Sequence, residues 1–193
     1  ESECIRQIDK TNNNRIGYFH QNMFRYAGHG WIVPENGTQG GFDVLNDELH
    51  IYVEMKNKHN TMNSASSAKT YMKMQGQLLK DDDCACFLVE AIAKRSQNIS
   101  WSVSVDGTRQ KHRRIRRVSM DEFYKTVTGQ DDAFYKMCMV LPQVIEKVVN
   151  EGGEEVKVPH DSVMSELRRI AKEMNTEDEN LRLLLSLLKY KMI

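Results

Sequence analysis

Three charged residues, Asp43, Glu54 and Lys56, carry the chemistry this chain could do. Residues 50–56, "HIYVEMK", alternate as a β-strand does. Ile51, Val53 and Met55 face one way, and His50, Tyr52, Glu54 and Lys56 the other. The preceding "GFDVL", joined to them around "NDE", reads as the first arm of a hairpin with a tight polar turn. With a turn of two or four residues, Asp43 falls opposite Tyr52 and shares a face with Glu54 and Lys56. Asp43 and Glu54 are then diagonal neighbours ~7–8 Å apart. Two carboxylates so placed can grip one hard divalent cation such as Mg²⁺, with metal–oxygen contacts of about 2.1 Å. The backbone carbonyl of Met55 is the candidate third ligand. Lys56, one pleat beyond Glu54, could orient or deprotonate a water, or neutralise charge on a phosphoryl group under attack. That combination suits hydrolysis of a phosphodiester. A solvated, salt-bridged strand face has the same pattern, and the spacing alone does not separate the two.

The elements that would position these residues follow from periodicity and punctuation. Residues 13–27 carry Ile16, Phe19, Met23 and Phe24 at near-helical spacing, ended by Gly28 and Gly30. "WIVP" reads as a short strand before the hairpin. Residues 64–80 read as a helix whose stripe includes Ala68, Tyr71, Met72, Met74, Gln75, Leu78 and Leu79. "CACFLVEAI" (84–92) is apolar almost throughout, as a strand covered on both faces must be. Glu90 and Lys94 at its end form a candidate ion pair. "ISWSVSV" alternates, Asp106-Gly107 turns the chain, and "RRIRRV" returns. Ser119 with Glu122 predicts a capping box on a helix stopping at Gly129. Residues 131–149 read as one or two helices interrupted near Pro142. Beyond "NEGGEE", 161–174 and 176–191 read as a helical pair with a leucine stripe. The domain expectation is therefore 1–150 as one α/β unit with helices packed on a sheet, and 151–193 as a helical C-terminal extension.

Composition excludes little. The chain has 193 residues, 40% hydrophobic and 28% charged, ordinary for a globular protein. No stretch approaches the ~20 apolar residues of a membrane span, and no signal peptide is visible in a chain that starts at Glu1 without a methionine; Cys84 and Cys86 in an apolar run read as core packing in a reducing cytoplasm, the expected location. The cysteines Cys4, Cys84, Cys86 and Cys138 are too sparse for a zinc site, and no histidine pair has ligand spacing. Formal net charge is zero, which argues against bulk electrostatic binding of nucleic acid. The charge is nevertheless uneven. Residues 109–117 hold Arg109, Lys111, Arg113, Arg114, Arg116 and Arg117, whereas residues 121–193 hold 10 Lys+Arg against 14 Asp+Glu.

Asp43-x10-Glu54-Met55-Lys56, in the order helix, strand, hairpin, helix, apolar strand, resembles the PD-(D/E)XK nuclease core. The blocks "IDKTNNNRIGYFHQNMF", "GFDV", "HIYVEMKNKHNTMNSASSAKTYMKMQ", "LVEAIAKRSQNISW" and "RIRRVSMDEFYKTVTG" together resemble type II restriction endonucleases that cut at GGNCC. They span most of residues 8–129. The resemblance implies a restriction-endonuclease-like α/β fold, a mixed central sheet flanked by helices. It also implies Mg²⁺-dependent cutting of double-stranded DNA, with Asp43 and Glu54 as metal ligands and Lys56 as the catalytic lysine. Many members carry a glutamate on the first helix; here His20 and Gln21 occupy that region, and Gly41-Phe42 precede Asp43 where proline is common.

Reading GGNCC requires donors for guanine O6 and N7 and an acceptor for cytosine N4 in the major groove. Asn57, Lys58, His59, Asn60, Asn63 and Ser64 directly follow the catalytic strand and are the candidate readers. For Asn63, Ser64 and Lys58, helix capping and phosphate contact are the competing roles. Arg113, Arg114, Arg116 and Arg117 are candidate phosphate contacts, or a charged edge that discourages aggregation. A palindromic site implies a two-fold homodimer, with the C-terminal helices as dimer or core contacts, and a companion DNA methyltransferase that is not a bound partner. A repair or junction-cutting nuclease with the same core, and a non-catalytic DNA-binding protein, are the rival readings.

Overall fold

The computed structural model describes residues 19–35 and 39–151. Two compact units divide the chain, Glu1–Asp131 and Asp132–Ile193. In the first, helical residues 19–25 (α1) are followed by β1 (Val44–Asn46), β2 (Ile51–Lys58), α2 (Ser64–Lys80), β3 (Ala85–Ile92), β4 (Asn98–Val105), β5 (Thr108–Ser119) and α3 (Met120–Thr128). The strands form one sheet in the order β1-β2-β3-β5-β4. β2, β3 and β5 run parallel, while β1 and β4 are antiparallel to their neighbours. This is the mixed, helix-flanked sheet expected from the sequence.

The parallel pair β2–β3 needs a crossover, and α2 supplies it. Asn63 caps α2, its side-chain oxygen accepting from the Ser66 N–H at 2.8 Å. Tyr71 and Met74 of α2 are fully buried against Cys86, Leu88, Trp101 and Ile115 on one sheet face. The predicted stripe was too wide: Met72 and Leu79 are 54% and 90% exposed, because one sheet face accepts only the Tyr71–Met74–Leu78 side of the helix. On the opposite face an aromatic cluster joins α1 to α3. Phe24 meets Phe123 with ring centroids 4.7 Å apart, and Trp31 meets Phe123 at 5.4 Å. "WIVP" contributes only a single bridge, Ile32 to Leu45.

Asp106 and Gly107, both with positive φ, make the two-residue turn between β4 and β5 that their types predict. Gly129 ends α3 in the left-handed conformation as expected. The capping box does not form: Ser119 makes no side-chain cap bond. Its Oγ is drawn instead to Gln97, accepting from that residue's N–H at 2.9 Å. In the second unit, α4 (Ala133–Glu151) runs unbroken with Pro142 inside it, rather than as two helices. The helical pair expected at 161–191 lies outside the described residues. Among the described residues no helix is long and apolar enough to cross a membrane.

His20 of α1 is 3% exposed, and burial pushes its imidazole down to about 4 from 6.5. A histidine held neutral in the fold contributes stability in full above pH 6.5 and loses it as pH falls toward 4. The shift corresponds to about 3 kcal/mol. Urea unfolding of His20→Gln should therefore fall less steeply between pH 6.5 and 4 than that of the wild type; parallel curves would contradict this.

Candidate active site

The turn between β1 and β2 has four residues, yet the register differs from the sequence reading. Val44 pairs with Val53 and Leu45 with Tyr52, so Tyr52 is not opposite Asp43. Asp43 stands just before β1, where continuation of the ladder carries it alongside Glu54. Asn46 sets this register. Fully buried at the end of β1, it accepts from the Leu49 N–H at 3.0 Å and donates to the His29 carbonyl at 2.8 Å.

Three backbone contacts fix Asp43. Its N–H donates to the Val53 carbonyl at 2.9 Å. Its Oδ2 accepts from the Met55 N–H at 2.7 Å. Its carbonyl accepts from Gln21 Nε2 of α1 at 3.1 Å. The helix that often supplies a glutamate in the resembled nucleases thus still reaches the site, through an amide. His20 points elsewhere, its ring near the Tyr124 hydroxyl. Met55 is interior to β2, which continues to Lys58; the strand-end argument for a free Met55 carbonyl does not hold.

Glu54 lies between two ammonium groups. Lys56 Nζ is 2.6 Å from its Oε1, and Lys73 Nζ of α2 donates to its Oε2. Lys73 also donates to the Gly41 carbonyl at 3.0 Å and sits 4.5 Å above the Phe42 ring. It therefore ties the loop carrying Asp43 to the strand carrying Glu54. The sequence reading missed Lys73. Its one signal is a lysine inside the otherwise apolar "YMKM", on a helix whose neighbouring turns are plainly buried.

The electrostatics separate the carboxylates. Burial pushes the Asp43 carboxyl up; the Met55 N–H opposes this and the neighbouring Glu54 charge adds to it. Burial also pushes Glu54 up, but the hydrogen bonds and charges of Lys56 and Lys73 outweigh it and hold Glu54 below its ordinary value. Among the described residues no group of three His, Cys, Asp or Glu side chains forms a metal-holding cluster.

The remaining candidates divide by position. Asn57 and Lys58 end β2, and Asn60 is exposed in the following loop. The His59 N–H donates to the Ile92 carbonyl at 3.1 Å. Asn63 and Ser64 are the cap and first residue of α2. Arg113 is exposed, and Arg114 lies 4.0 Å from Asp83. Arg116 Nε donates to Asn98 Oδ1 at 2.5 Å. Arg117 Nε donates to Glu90 Oε1 at 2.9 Å, so Glu90 pairs with Arg117 and not with Lys94. Lys94, exposed at the strand end, instead lines a cavity of about 590 Å³ with His59, Asn60, Glu90, Arg95 and Arg117.

A family model described as Eco47II restriction endonuclease matches residues 1–150. The chain belongs to that family. It is 34% identical over 155 residues to the type II restriction enzyme Sau96I of Staphylococcus aureus, covering 75% of this chain and 58% of that protein. It is 31% identical over 169 residues to the type II restriction enzyme Eco47II of Escherichia coli, covering 82% of this chain and 70% of that protein. No solved structure matches the chain. Membership of the Eco47II restriction endonuclease family bears out the resemblance read from Asp43-x10-Glu54-Met55-Lys56 and its flanking blocks. It places all five strands of the sheet within the matched residues.

Proposed function

We propose that the chain is a type II site-specific endonuclease that hydrolyses phosphodiester bonds of double-stranded DNA with Mg²⁺. The observation carrying this reading is Asp43 and Glu54 side by side at the sheet edge, with Lys56 on the second carboxylate. Two neighbouring, largely buried carboxylates, one pushed up chiefly by burial with the other's charge adding to it, are hard-oxygen donors that fit a divalent cation. Asp43 and Glu54 would hold the ion, and the Met55 carbonyl, beyond the last β1–β2 pair at Val44–Val53, is the candidate third ligand. When bound, it supplies Lewis-acid stabilisation of the phosphoryl oxygen and an activated water. The protein's own part is positional. The Met55 N–H fixes the Asp43 carboxylate, Lys73 fixes Glu54 relative to the Asp43 loop, and Lys56 places a positive charge where the attacked phosphate accumulates negative charge.

By resemblance the site cut is GGNCC, leaving 5′ overhangs. The loop 57–64 at the carboxyl end of β2 would read bases, and a homodimer would present two such loops to a palindrome, within a restriction–modification system that includes a methyltransferase. Asp43, Glu54 and Lys56 speak against a non-catalytic binding role. Digestion of plasmid DNA with Mg²⁺, followed by sequencing of the fragment ends, tests the assignment. Ends confined to GGNCC support it; nicks that follow DNA structure and not sequence would favour a repair or junction-cutting nuclease.

A further inference from the structure

Glu90 is 1% exposed, and the mechanism above leaves it unused. Its Oε1 accepts from both Nε and Nη2 of Arg117, at 2.9 and 2.5 Å, and Arg117 Nη2 is further anchored on the His59 carbonyl at 2.8 Å. Its Oε2 is buried with no hydrogen-bond partner. A buried carboxylate oxygen without a donor is costly to keep, so such an atom calls for a partner.

The sheet register indicates which partner. Lys56 of β2 and Glu90 of β3 are in-register neighbours on parallel strands. Adjacent strands lie about 4.8 Å apart, and register partners leave the sheet on the same face. Glu90 thus has β5, bearing Arg117, on one side and Lys56 on the other. Lys56 currently spends its ammonium on Glu54, which holds a second ammonium from Lys73. One carboxylate is doubly engaged while its neighbour is half engaged, and a flexible lysine stem stands between them.

We propose that Glu90 is the alternative seat of Lys56. When a divalent cation takes Glu54, the Lys56 ammonium passes from Glu54 Oε1 to Glu90 Oε2. This rests on the reading of Asp43 and Glu54 as the cation's ligands. Charge is conserved on both sides of the exchange. The cation takes over neutralisation of Asp43 and Glu54, Glu90 gains a second positive partner beside Arg117, and Lys56 stays charged next to the site. Glu90 is then a positioning residue that lets the lysine yield an oxygen without leaving.

Calorimetric titration with Ca²⁺ in the absence of DNA tests the exchange without turnover. Glu90→Gln should weaken Ca²⁺ binding about tenfold when Lys56 is present and have no effect in a Lys56→Met background. Unchanged affinity in Glu90→Gln, or the same loss in both backgrounds, overturns the exchange. Asp43→Asn serves as the control for the underlying reading: it should abolish Ca²⁺ binding, and wild-type affinity there would overturn the ligand assignment and the exchange with it. A crystal structure of the wild type with Ca²⁺ needs no variant to fold. Lys56 Nζ within hydrogen-bond distance of Glu90 Oε2 is the expected result. Lys56 remaining on Glu54, or Lys94 occupying Oε2 instead, overturns it.

Discussion

Lys56→Ala should abolish DNA cleavage while leaving Ca²⁺-supported DNA binding largely intact. The Lys56 side chain is 28% exposed, and its ammonium lies 2.6 Å from Glu54. Removing it costs little folding energy, because Glu54 keeps the Lys73 ammonium and is not left as an unpaired buried charge. In the proposed mechanism, what disappears is the positive charge beside the attacked phosphate. Loss of one preorganised donor of this kind costs roughly 10²–10³ in rate, and loss of a proton-transfer group as well adds to it. Single-turnover cleavage and gel-shift binding on the same DNA separate the two effects. Wild-type turnover in the variant would remove Lys56 from the mechanism.

Lys73→Met should lower cleavage by about 100-fold, less than Lys56→Ala, and should also lower stability. Lys73 holds Glu54 Oε2, the Gly41 carbonyl and the Phe42 ring at once, so its loss frees the loop preceding Asp43 from α2. A displacement of about 1 Å between reacting groups is enough to cost about 10². The methionine retains most of the stem but neither hydrogen bond nor charge. A thermal melt accompanied by single-turnover rates checks both halves; a stability loss with undiminished cleavage would make Lys73 purely structural.

These two lysines show what a sequence does and does not reveal. Glu54 and Lys56 share a face because strand alternation is a local rule, and residues 51–58 form the strand that rule predicts. The α2 boundaries and the Asp106-Gly107 turn were legible for the same reason, since capping and turn chemistry act within a few residues. Lys73 was not legible. Among the lysines of α2, only the packing of the helix against the Phe42 loop marks it out, and that contact joins residues more than thirty apart. The Asp43 register was off by two residues, Tyr52 in place of Glu54, because Asn46, a polar residue that looks like turn material, is buried and ends the strand. Glu90 was given Lys94 as partner by proximity in sequence. The parallel β3–β5 pairing brings Arg117 to it instead, from twenty-seven residues away. The capping box at Ser119 fails similarly, since Gln97 outcompetes the helix for its hydroxyl.

The central claim is that Asp43 and Glu54 form a cation-dependent phosphodiester-cleaving centre. Its most direct test is cleavage of supercoiled plasmid carrying GGNCC sites by purified wild type and Glu54→Gln, each with Mg²⁺ and with EDTA. Discrete linear fragments from the wild type with Mg²⁺ alone, and none from Glu54→Gln, are the predicted result. Equal cutting by Glu54→Gln, or undiminished cutting in EDTA, would contradict it.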